Sequence, residues 1–592
     1  MDKRSALTSA TVPITKFNAK RLAAIFLLFI LCLQAAACAK IDIIYPSEET
    51  ATAIAKIQAL TPTGSTDLNV SIQVSDPTNT QTLPPTQTAT ATVPPTATST
   101  VTATLPPPTD TPSATQTAPS GTATTESAST ISASETTTNG SSPQNGNQVS
   151  NPLSIISPPT MYYTQPGDTL EALCSRFGVE ADQITSPDLT VIPAHTLLAN
   201  KTLLVIPDVV GNTTAGDRLF PDSEIIFSPS AIGFDAASYV ADAGGYLTQF
   251  KEWRTDGWYN GGEVIQRVAY ENSVNPRLLL ALVEYQTGWI FGPLGEDDDS
   301  MYPLGYVNTQ YQNLYKQLTW SIMEVGIGYY GWRAGTLTDL IFPDGSTLRL
   351  APELNAGTVA MMYLFSNLYN QSEWSEVLYG DNNFFELYNR MFDDAWMRAK
   401  TVEPFFPTDL EQPELLLPFE VGKTWTLTSG PHAVWGPEGV LGALDFAPPS
   451  MTAGCIPSEE WVTAVASGVV TRSYNGAVVV DLDGDGYEQT GWSIFYMHVS
   501  HEGRVEVGDW VDVGDPIGHP SCEGGVSTGT HLHIARKYNG EWIPADGPLA
   551  FTLNGWTAHN GESPYKGTLT RGNQVITSDV NSSYISKVTR EK

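Results

Sequence analysis

Gly529-Thr530-His531-Leu532-His533-Ile534 is the stretch on which the reading of this chain turns. Apolar flanks and a single intervening residue mark it as part of a strand. Strand side chains alternate with period two, so both imidazoles share one face and Leu532 points to the other, into a core. Two imidazoles side by side on a pleated surface pack poorly but make a good start for a metal site. Of the eight histidines in the chain, seven lie between positions 432 and 559.

Outward from this stretch the pattern is short alternating runs at 461–465, 468–472, 477–481, 493–497 and 504–507, separated by Gly and Asp turns. Such spacing predicts an all-β domain built on an antiparallel sheet, over residues 415–592 including a C-terminal extension. Within it Ser429-Gly430-Pro431-His432 precedes Leu441-Gly442-Ala443-Leu444-Asp445-Phe446, and Phe495-Tyr496-Met497-His498-Val499 precedes the His-Leu-His stretch. Taken singly, His498 on an apolar strand would ordinarily be a satisfied core residue. His501, His519 and His559 read as surface or loop histidines.

The set of phrases, in this order, resembles the lysostaphin-like zinc endopeptidases, and among them the β-lytic branch, with its longer insert between the first His and the Asp. Gly514-Asp515-Pro516-Ile517-Gly518 and Trp542-Ile543-Pro544 recur in that family too, so that the likeness spans residues 425–548. The resemblance implies that His432, Asp445 and His533 hold Zn²⁺, and that His498 and His531 act catalytically beside it. Ligand chemistry agrees: two neutral imidazoles and one carboxylate suit zinc and leave a fourth tetrahedral position open. Asp481-Leu482-Asp483-Gly484-Asp485-Gly486 looks like half an EF-hand loop, but Trp492 stands where the closing Glu belongs, which favours a turn between strands.

Residues 215–408 carry helical patterns and many aromatics. Asn275-Pro276 followed by an apolar run to Gly288 predicts a helix with Asn275 as N-cap, Pro276 at its first position and Gly288 as its C-terminal stop. A helix before it covers 263–271, and another covers 355–368. A helix, an Asn-Pro turn and an apolar helix ending in Glu resemble the lysozyme-like lytic transglycosylases, which implies a mostly α domain with Glu284 as general acid. A solvated glutamate on a helical binding domain is the competing reading. Glu296-Asp297-Asp298-Asp299 reads as a solvated loop.

Residues 161–209 form a smaller unit. A short strand, a Pro166-Gly167 turn, an N-cap at Asp168 or Thr169, and Leu170, Leu173, Cys174 and Phe177 at helical spacing predict strand then helix. A second short helix over 181–185 and a closing strand before Pro207 follow. The unit resembles the LysM module, a small α+β fold, which implies binding to N-acetylglucosamine-containing glycans, chiefly peptidoglycan. Cys174 falls on the apolar stripe, as a core residue.

The N-terminus reads as a signal peptide over residues 1–38: Lys16, Lys20 and Arg21, an apolar run, then Ala35-Ala36-Ala37-Cys38. Cys38 there resembles a bacterial lipoprotein cleavage site, so the protein is secreted or anchored to the membrane through a lipidated Cys38. Residues 39–160, dominated by Thr, Ser and Pro, cannot bury enough apolar surface to offset their ordering entropy and read as a disordered stalk. Export leaves Cys174, Cys455 and Cys522 in the body of the protein; a bridge between the last two is open on sequence grounds. The net charge of −33 over 592 residues argues against nucleic acid or anionic membrane surfaces as partners.

These readings converge on a multidomain, exported zinc metalloendopeptidase that hydrolyses peptidoglycan peptides and is targeted by a LysM module. Two alternatives remain on sequence grounds. One is a glycan-strand-cleaving enzyme centred on Glu284, the other a non-catalytic wall scaffold that activates a separate hydrolase.

Overall fold

The structure, a computed structural model, describes residues 158–592 apart from 255–256, 297–298, 437 and 451–452. The signal peptide with Cys38, the stalk up to residue 157, and part of the Glu296–Asp299 run lie outside the described residues. Among the described residues no helix is long and apolar enough to cross a membrane.

The first unit is small. Strand β1 (Thr160–Tyr163) pairs antiparallel with β2 (Leu203–Ile206), and helix α1 (Leu170–Phe177) packs on them around Tyr162, Leu173, Phe177 and Leu204. Of the two candidate N-caps, Thr169 does the capping, its Oγ1 accepting from Ala172 N. Asp168 instead turns inward to Tyr162 Oη at 2.7 Å and Arg176 at 2.8 Å. Gly178 stops the helix with φ 65°. The expected second helix is only a single 3₁₀ turn, Ala181–Gln183. Thr185 is drawn into a bridge with Val205, which leaves no room for another helical turn. Cys174 is half-buried against the unit's core.

The middle region is helical. Helix α2 (Gly261–Asn272) and helix α3 (Pro276–Thr287) are joined at Ser273–Asn275, and Asn275 caps α3 through Arg277 N while Gly288 ends it at φ 68°. Helix α4 (Leu314–Ala334) runs through the centre and crosses α5 (Ala356–Ser366). The crossing is tight at Gly328, where a Cβ would meet Ala360 Cα at 2.8 Å. Helix α4 has no clean sequence signature: Leu314, Leu318, Val325, Tyr329 and Trp332 form one stripe, but Trp320, Met323, Ile327 and Tyr330 place large apolar side chains on the opposite side as well.

The C-terminal region is a nine-stranded antiparallel sheet. Its members are β3 (Thr424–Ala433), β4 (Leu441–Ala447), β5 (Gly468–Tyr474), β6 (Ala477–Asp481), β7 (Trp492–Met497), β8 (Trp510–Val511), β9 (Leu532–Tyr538) and, last in the chain, β14 (Lys587–Thr589). They run in the order β8-β5-β6-β7-β9-β4-β3-β14, and the ninth strand, the two residues Glu541–Trp542, pairs back on β9. Residues 504–507 are not a strand. Val505 is held by Ile517 O, and Glu506 N turns onto the Asp509 carboxylate. Before β14 the chain adds a separate four-stranded sheet: β10 (Thr552–Leu553), β11 (Trp556–Asn560), β12 (Gly567–Arg571) and β13 (Gln574–Thr577).

Period two splits the large sheet cleanly. Leu444, Phe446, Val478, Val480, Ile494, Tyr496, Leu532 and Ile534 line one face and share a core with the four-stranded sheet. Ala443, Ala477, Val479, Phe495, Met497 and Ala535 line the other, where Tyr330 of α4 packs against them. Trp542 N donates to Tyr330 Oη, and Arg472 donates to Tyr270 O of α2.

Arg333, near the end of α4, joins all three parts. Its guanidinium donates to Pro166 O of the first unit, to Asp222 at 3.0 Å, and to Glu541 of the β region at 3.1 Å. Burial disfavours its charge, and Glu541, Tyr329 and Asp222 more than offset this, holding it cationic. Removing one member of such a buried network leaves the others uncompensated. Arg333→Met should therefore destabilise the protein by about 3 kcal/mol or more. Thermal unfolding, with protease cleavage between the first unit and the helical region as a second readout, measures it.

Candidate functional site

Strand β9 is the axis of the site. His533 stands directly opposite Asp445 on β4 and opposite Met497, the last residue of β7. On β3 the register slips: Ser429 faces Asp445 and His432 faces Ala443, so three residues on β3 span two on β4. This one-residue bulge at Gly430-Pro431 re-aims His432. Ala443 and Asp445 are two apart on one strand and share a face, and His432, paired with Ala443, joins them there. Gly430 is required at the bulge, since a Cβ would meet Gly567 N of the C-terminal sheet at 2.6 Å.

The three side chains converge. His432 Nε2 lies 3.3 Å from Asp445 Oδ1, His533 Nδ1 lies 3.2 Å from the same oxygen, and the two ring nitrogens are 3.1 Å apart. Each imidazole spends its other nitrogen on a carbonyl: His432 Nδ1 on Gly430 O at 2.9 Å, His533 Nε2 on Val434 O at 3.1 Å. Those bonds put the ring protons on the far side and turn lone pairs inward. Asp445 Oδ1 is buried and makes no hydrogen bond. Three acceptors thus face one another with no proton between them, an arrangement that calls for a positive charge. Burial raises the Asp445 carboxyl, but His432 and His531 override it and hold it well below the usual carboxylate range. Burial likewise disfavours a charged His432, and Asp445 outweighs it and raises its pKa. His533 is lowered, chiefly by burial. Two imidazoles and a carboxylate with these donor atoms fit a zinc ion.

His531 and His498 border this trio. His531 donates from Nδ1 to Gly529 O at 2.7 Å, and its Nε2 is 3.7 Å from Asp445 Oδ1. His498 follows β7 in a left-handed conformation, φ 65°, which a β-carbon makes costly and which the surroundings enforce. Its carbonyl accepts from Ser521 N at 2.6 Å, its Nδ1 meets Glu523 O at 3.0 Å, and its ring lies 4.5 Å from that of His531. Burial, with the two neighbouring imidazoles, lowers its pKa to about 3, so it is neutral at neutral pH.

Tyr565 belongs to the same group, although no local residue pattern points to it. Its ring stacks on that of His432 at 4.6 Å and 23°, and its backbone clasps the bulge through Gly430 N and Pro431 O. Only the pairing of the C-terminal sheet with β3 brings it there, which residue spacing does not encode. The remaining histidines lie elsewhere. His501 pairs with Glu523 on the surface, His519 stacks on Trp461 at 3.8 Å, and His559 bonds Thr570.

Cys455 and Cys522 are joined in a disulfide. Asp481, Asp483 and Asp485 bring carboxylate oxygens within 4.8 Å of one another in the loop between β6 and β7. Asp481 there accepts from Asp483 N and Gly486 N, as a turn-forming aspartate does. Glu284, at the end of α3, is half-buried, and its Oε2 accepts from Ile290 N at 2.9 Å and Phe291 N at 3.4 Å. Burial raises its pKa against those two bonds. The carboxylate is thereby committed to the turn that follows the helix.

Two stretches of the chain match known families. Residues 453–544 match peptidase family M23, and residues 218–404 match the LasA N-terminal domain. The first match contains His498, His531 and His533 and begins after His432 and Asp445. Protease LasA of Pseudomonas aeruginosa strain UCBPP-PA14 is 23% identical over 359 residues, which cover 55% of this chain and 75% of that protein. Among solved structures, the M23 metalloprotease pseudoalterin, from the deep sea, is 24% identical with a TM-score of 0.24, over 28% of this chain and 96% of that one. The catalytic domain of lysostaphin from Staphylococcus simulans is 27% identical with a TM-score of 0.15, over 21% and 89% respectively. The M23 match marks the C-terminal region as a metallopeptidase, hence a hydrolase.

A positive charge bound among the three acceptors should be visible without any activity assay. Zinc added to metal-stripped protein is expected to raise its unfolding temperature, by the equivalent of about 2.7 kcal/mol at a hundred times Kd. Asp445→Asn should abolish both the shift and the bound metal, read by elemental analysis.

Proposed function

We propose that this chain is an exported zinc metalloendopeptidase that hydrolyses peptide bonds in bacterial peptidoglycan, within stem peptides or cross-bridges. The observation that carries the reading is the inward convergence of His432 Nε2, His533 Nδ1 and the hydrogen-bond-free Asp445 Oδ1 on the face that also holds His531 and His498. The M23 match over the second half of that constellation supports the same activity.

In this reading His432, Asp445 and His533 hold the metal. Zinc, when bound, supplies Lewis acidity that polarises a carbonyl and makes water acidic enough to serve as nucleophile near neutral pH. The protein's own groups do the rest. With its Nδ1 proton given to Gly529 O, His531 presents a basic Nε2 to the site, placed to take a proton from the attacking water and return it to the leaving amine. His498, neutral and anchored through Nδ1 to Glu523 O, is held alongside to orient water and the carbonyl oxygen on which charge develops. Tyr565, about half exposed over the His432 ring, forms the solvent-side wall.

The first unit, read as a LysM module, holds the enzyme on the glycan of its substrate. Binding there raises the local concentration of peptide bonds at the β region, so modest affinity at each site acts together. The signal peptide delivers the chain outside the cytoplasm, free or anchored through Cys38, and the stalk supplies reach.

Digestion of purified peptidoglycan with and without a chelator, followed by mass spectrometry, tests the proposal. New amino termini that vanish on chelation are expected. Reducing-end or anhydro-sugar products that survive chelation would instead point to Glu284, and full zinc occupancy without turnover on any wall would point to a scaffold. His531→Ala is expected to lower kcat by about 10²–10⁴-fold with zinc content unchanged.

A further inference from the structure

His432, Asp445 and His533 stand on strands, whereas His498 and His531 take their orientation from one loop, residues 520–531. Ser521 donates to His498 O through both N and Oγ, at 2.6 and 3.0 Å, and Glu523 O receives His498 Nδ1. Farther along, Ser521 O accepts from His531 N at 3.3 Å, Gly529 O accepts from His531 Nδ1, and Ser527 Oγ lies 3.3 Å from the same ring nitrogen. A shift of this loop moves both rings together.

The first part of the loop is well fastened, with the Glu523 carboxylate accepting from Ser500 Oγ and His501 N and lying 3.7 Å from Arg504, whereas its later part is held at fewer points. Pro520 bridges to Val499 at its start. Glu523 and Gly524 lie against the Asn475-Gly476 turn so closely that a Cβ on Gly476 would meet Glu523 O at 2.2 Å. Toward its end, Thr530 N donates to Gly454 O at 3.1 Å and Thr530 Oγ1 to Ile456 O at 2.5 Å. Those last partners belong to an irregular, largely exposed segment, residues 453–459, with no strand or helix to stiffen it. The Cys455–Cys522 bond ties that segment to the loop itself. Ser527 Oγ, the hydroxyl beside the His531 ring, also approaches Cys522 Sγ at 3.3 Å. None of the three strand residues makes a hydrogen bond to either segment.

We infer that the Cys455–Cys522 disulfide is a positioning element for the reaction: it holds the 520–531 loop, and through it the rings of His498 and His531, in place beside a metal trio whose own geometry does not depend on it. The inference rests on the peptidase reading of the site for the roles of those two histidines. Cys455 is exposed, so the bond is open to reduction in the folded protein. A water-soluble trialkylphosphine takes the oxygen of one water to become its oxide, and the two sulfurs leave as thiols carrying that water's hydrogens.

The test compares the oxidised full chain, the phosphine-reduced and alkylated chain, and Cys455→Ser/Cys522→Ser. Three quantities are read: kcat and KM on peptidoglycan peptides, zinc content, and backbone hydrogen exchange resolved by peptide. The expected result is a kcat loss on the order of a hundredfold with little change in KM. Zinc content should be unchanged, and faster exchange should be confined to residues 453–459 and 520–531. Retained kcat overturns the inference. So does zinc lost in step with turnover, or faster exchange spreading into β3, β4 and β9, either of which makes the bond a general structural staple. If the oxidised chain shows no peptidase activity at all, the reading of the site fails, and the exchange pattern alone then decides whether the bond holds the loop.

Discussion

A buried carboxylate oxygen with two imidazole nitrogens aimed at it and no proton between them is the constraint on which this structure turns. Taking an unpaired carboxylate out of water is expensive, and two lone pairs facing it add to the cost. Only a cation among them, a proton in the metal-free state or a divalent ion, makes Asp445 tolerable at 6% exposure. The surrounding architecture keeps the acceptors from moving apart. Cross-strand pairing sets His533 opposite Asp445, a bulge turns His432 toward them, and carbonyls of Gly430 and Val434 fix which nitrogen of each ring faces in. Metal binding at such a site contributes directly to folding, because the unfolded chain holds no such cluster.

The bulge also explains the C-terminal extension. A bulged edge leaves backbone groups unpaired, and here Gly430 N and Pro431 O are taken up by Tyr565 rather than by a neighbouring strand. The four-stranded sheet that carries Tyr565 shares its core with the back face of the large sheet, through Phe551, Leu553, Trp556, Ala558, Leu569 and Ile576. One surface of the extension thus completes the fold, while its Ser563–Gly567 turn reaches round to the front and stacks an aromatic ring on the His432 imidazole. On the other side, helix α4 packs Tyr330 onto the same face of the sheet as the site, so the helical region is part of the environment of the chemistry.

Local signals in the sequence were readable wherever one residue type forces one geometry. Asn275, Pro276 and Gly288 bound a helix to within a residue because capping and φ are intrinsic to them. Likewise, His-Leu-His on a strand requires two imidazoles on one face and Leu532 in the core behind, and both are found. Helix α4 was hard to see because Trp320, Met323, Ile327 and Tyr330 on its far side blur the contrast with its apolar stripe. Residues 504–507 alternate like a strand, yet after the single bond from Val505 N to Ile517 O the chain turns, Glu506 N going to the Asp509 carboxylate, before a ladder can form. The first unit's second helix shrank to one turn once Thr185 found a partner in Val205. Tyr565 lay beyond reach for a related reason: its role depends on which sheet docks against β3, a long-range fact that no local pattern records.

That contrast suggests why the two groups of histidines are built differently. The three converging acceptor atoms hold separations of about 3 Å against mutual repulsion, and strands paired on both sides supply that stiffness. His533 lies between Asp445 and Met497 in adjacent strands, so displacing it would break ladder bonds on two sides. In the proposed mechanism the other two histidines move protons and orient groups beside the metal, which does not require a place inside the ladder. His498 is therefore placed just beyond the end of β7, in a backbone conformation that strands do not adopt, and His531 just before the start of β9. Both occupy the point where the sheet gives way to loop, next to the three converging atoms; His531 keeps partial exposure there, whereas His498 is buried against the 520–531 loop. At each of these strand ends a single residue separates the paired ladder from the loop that orients the ring.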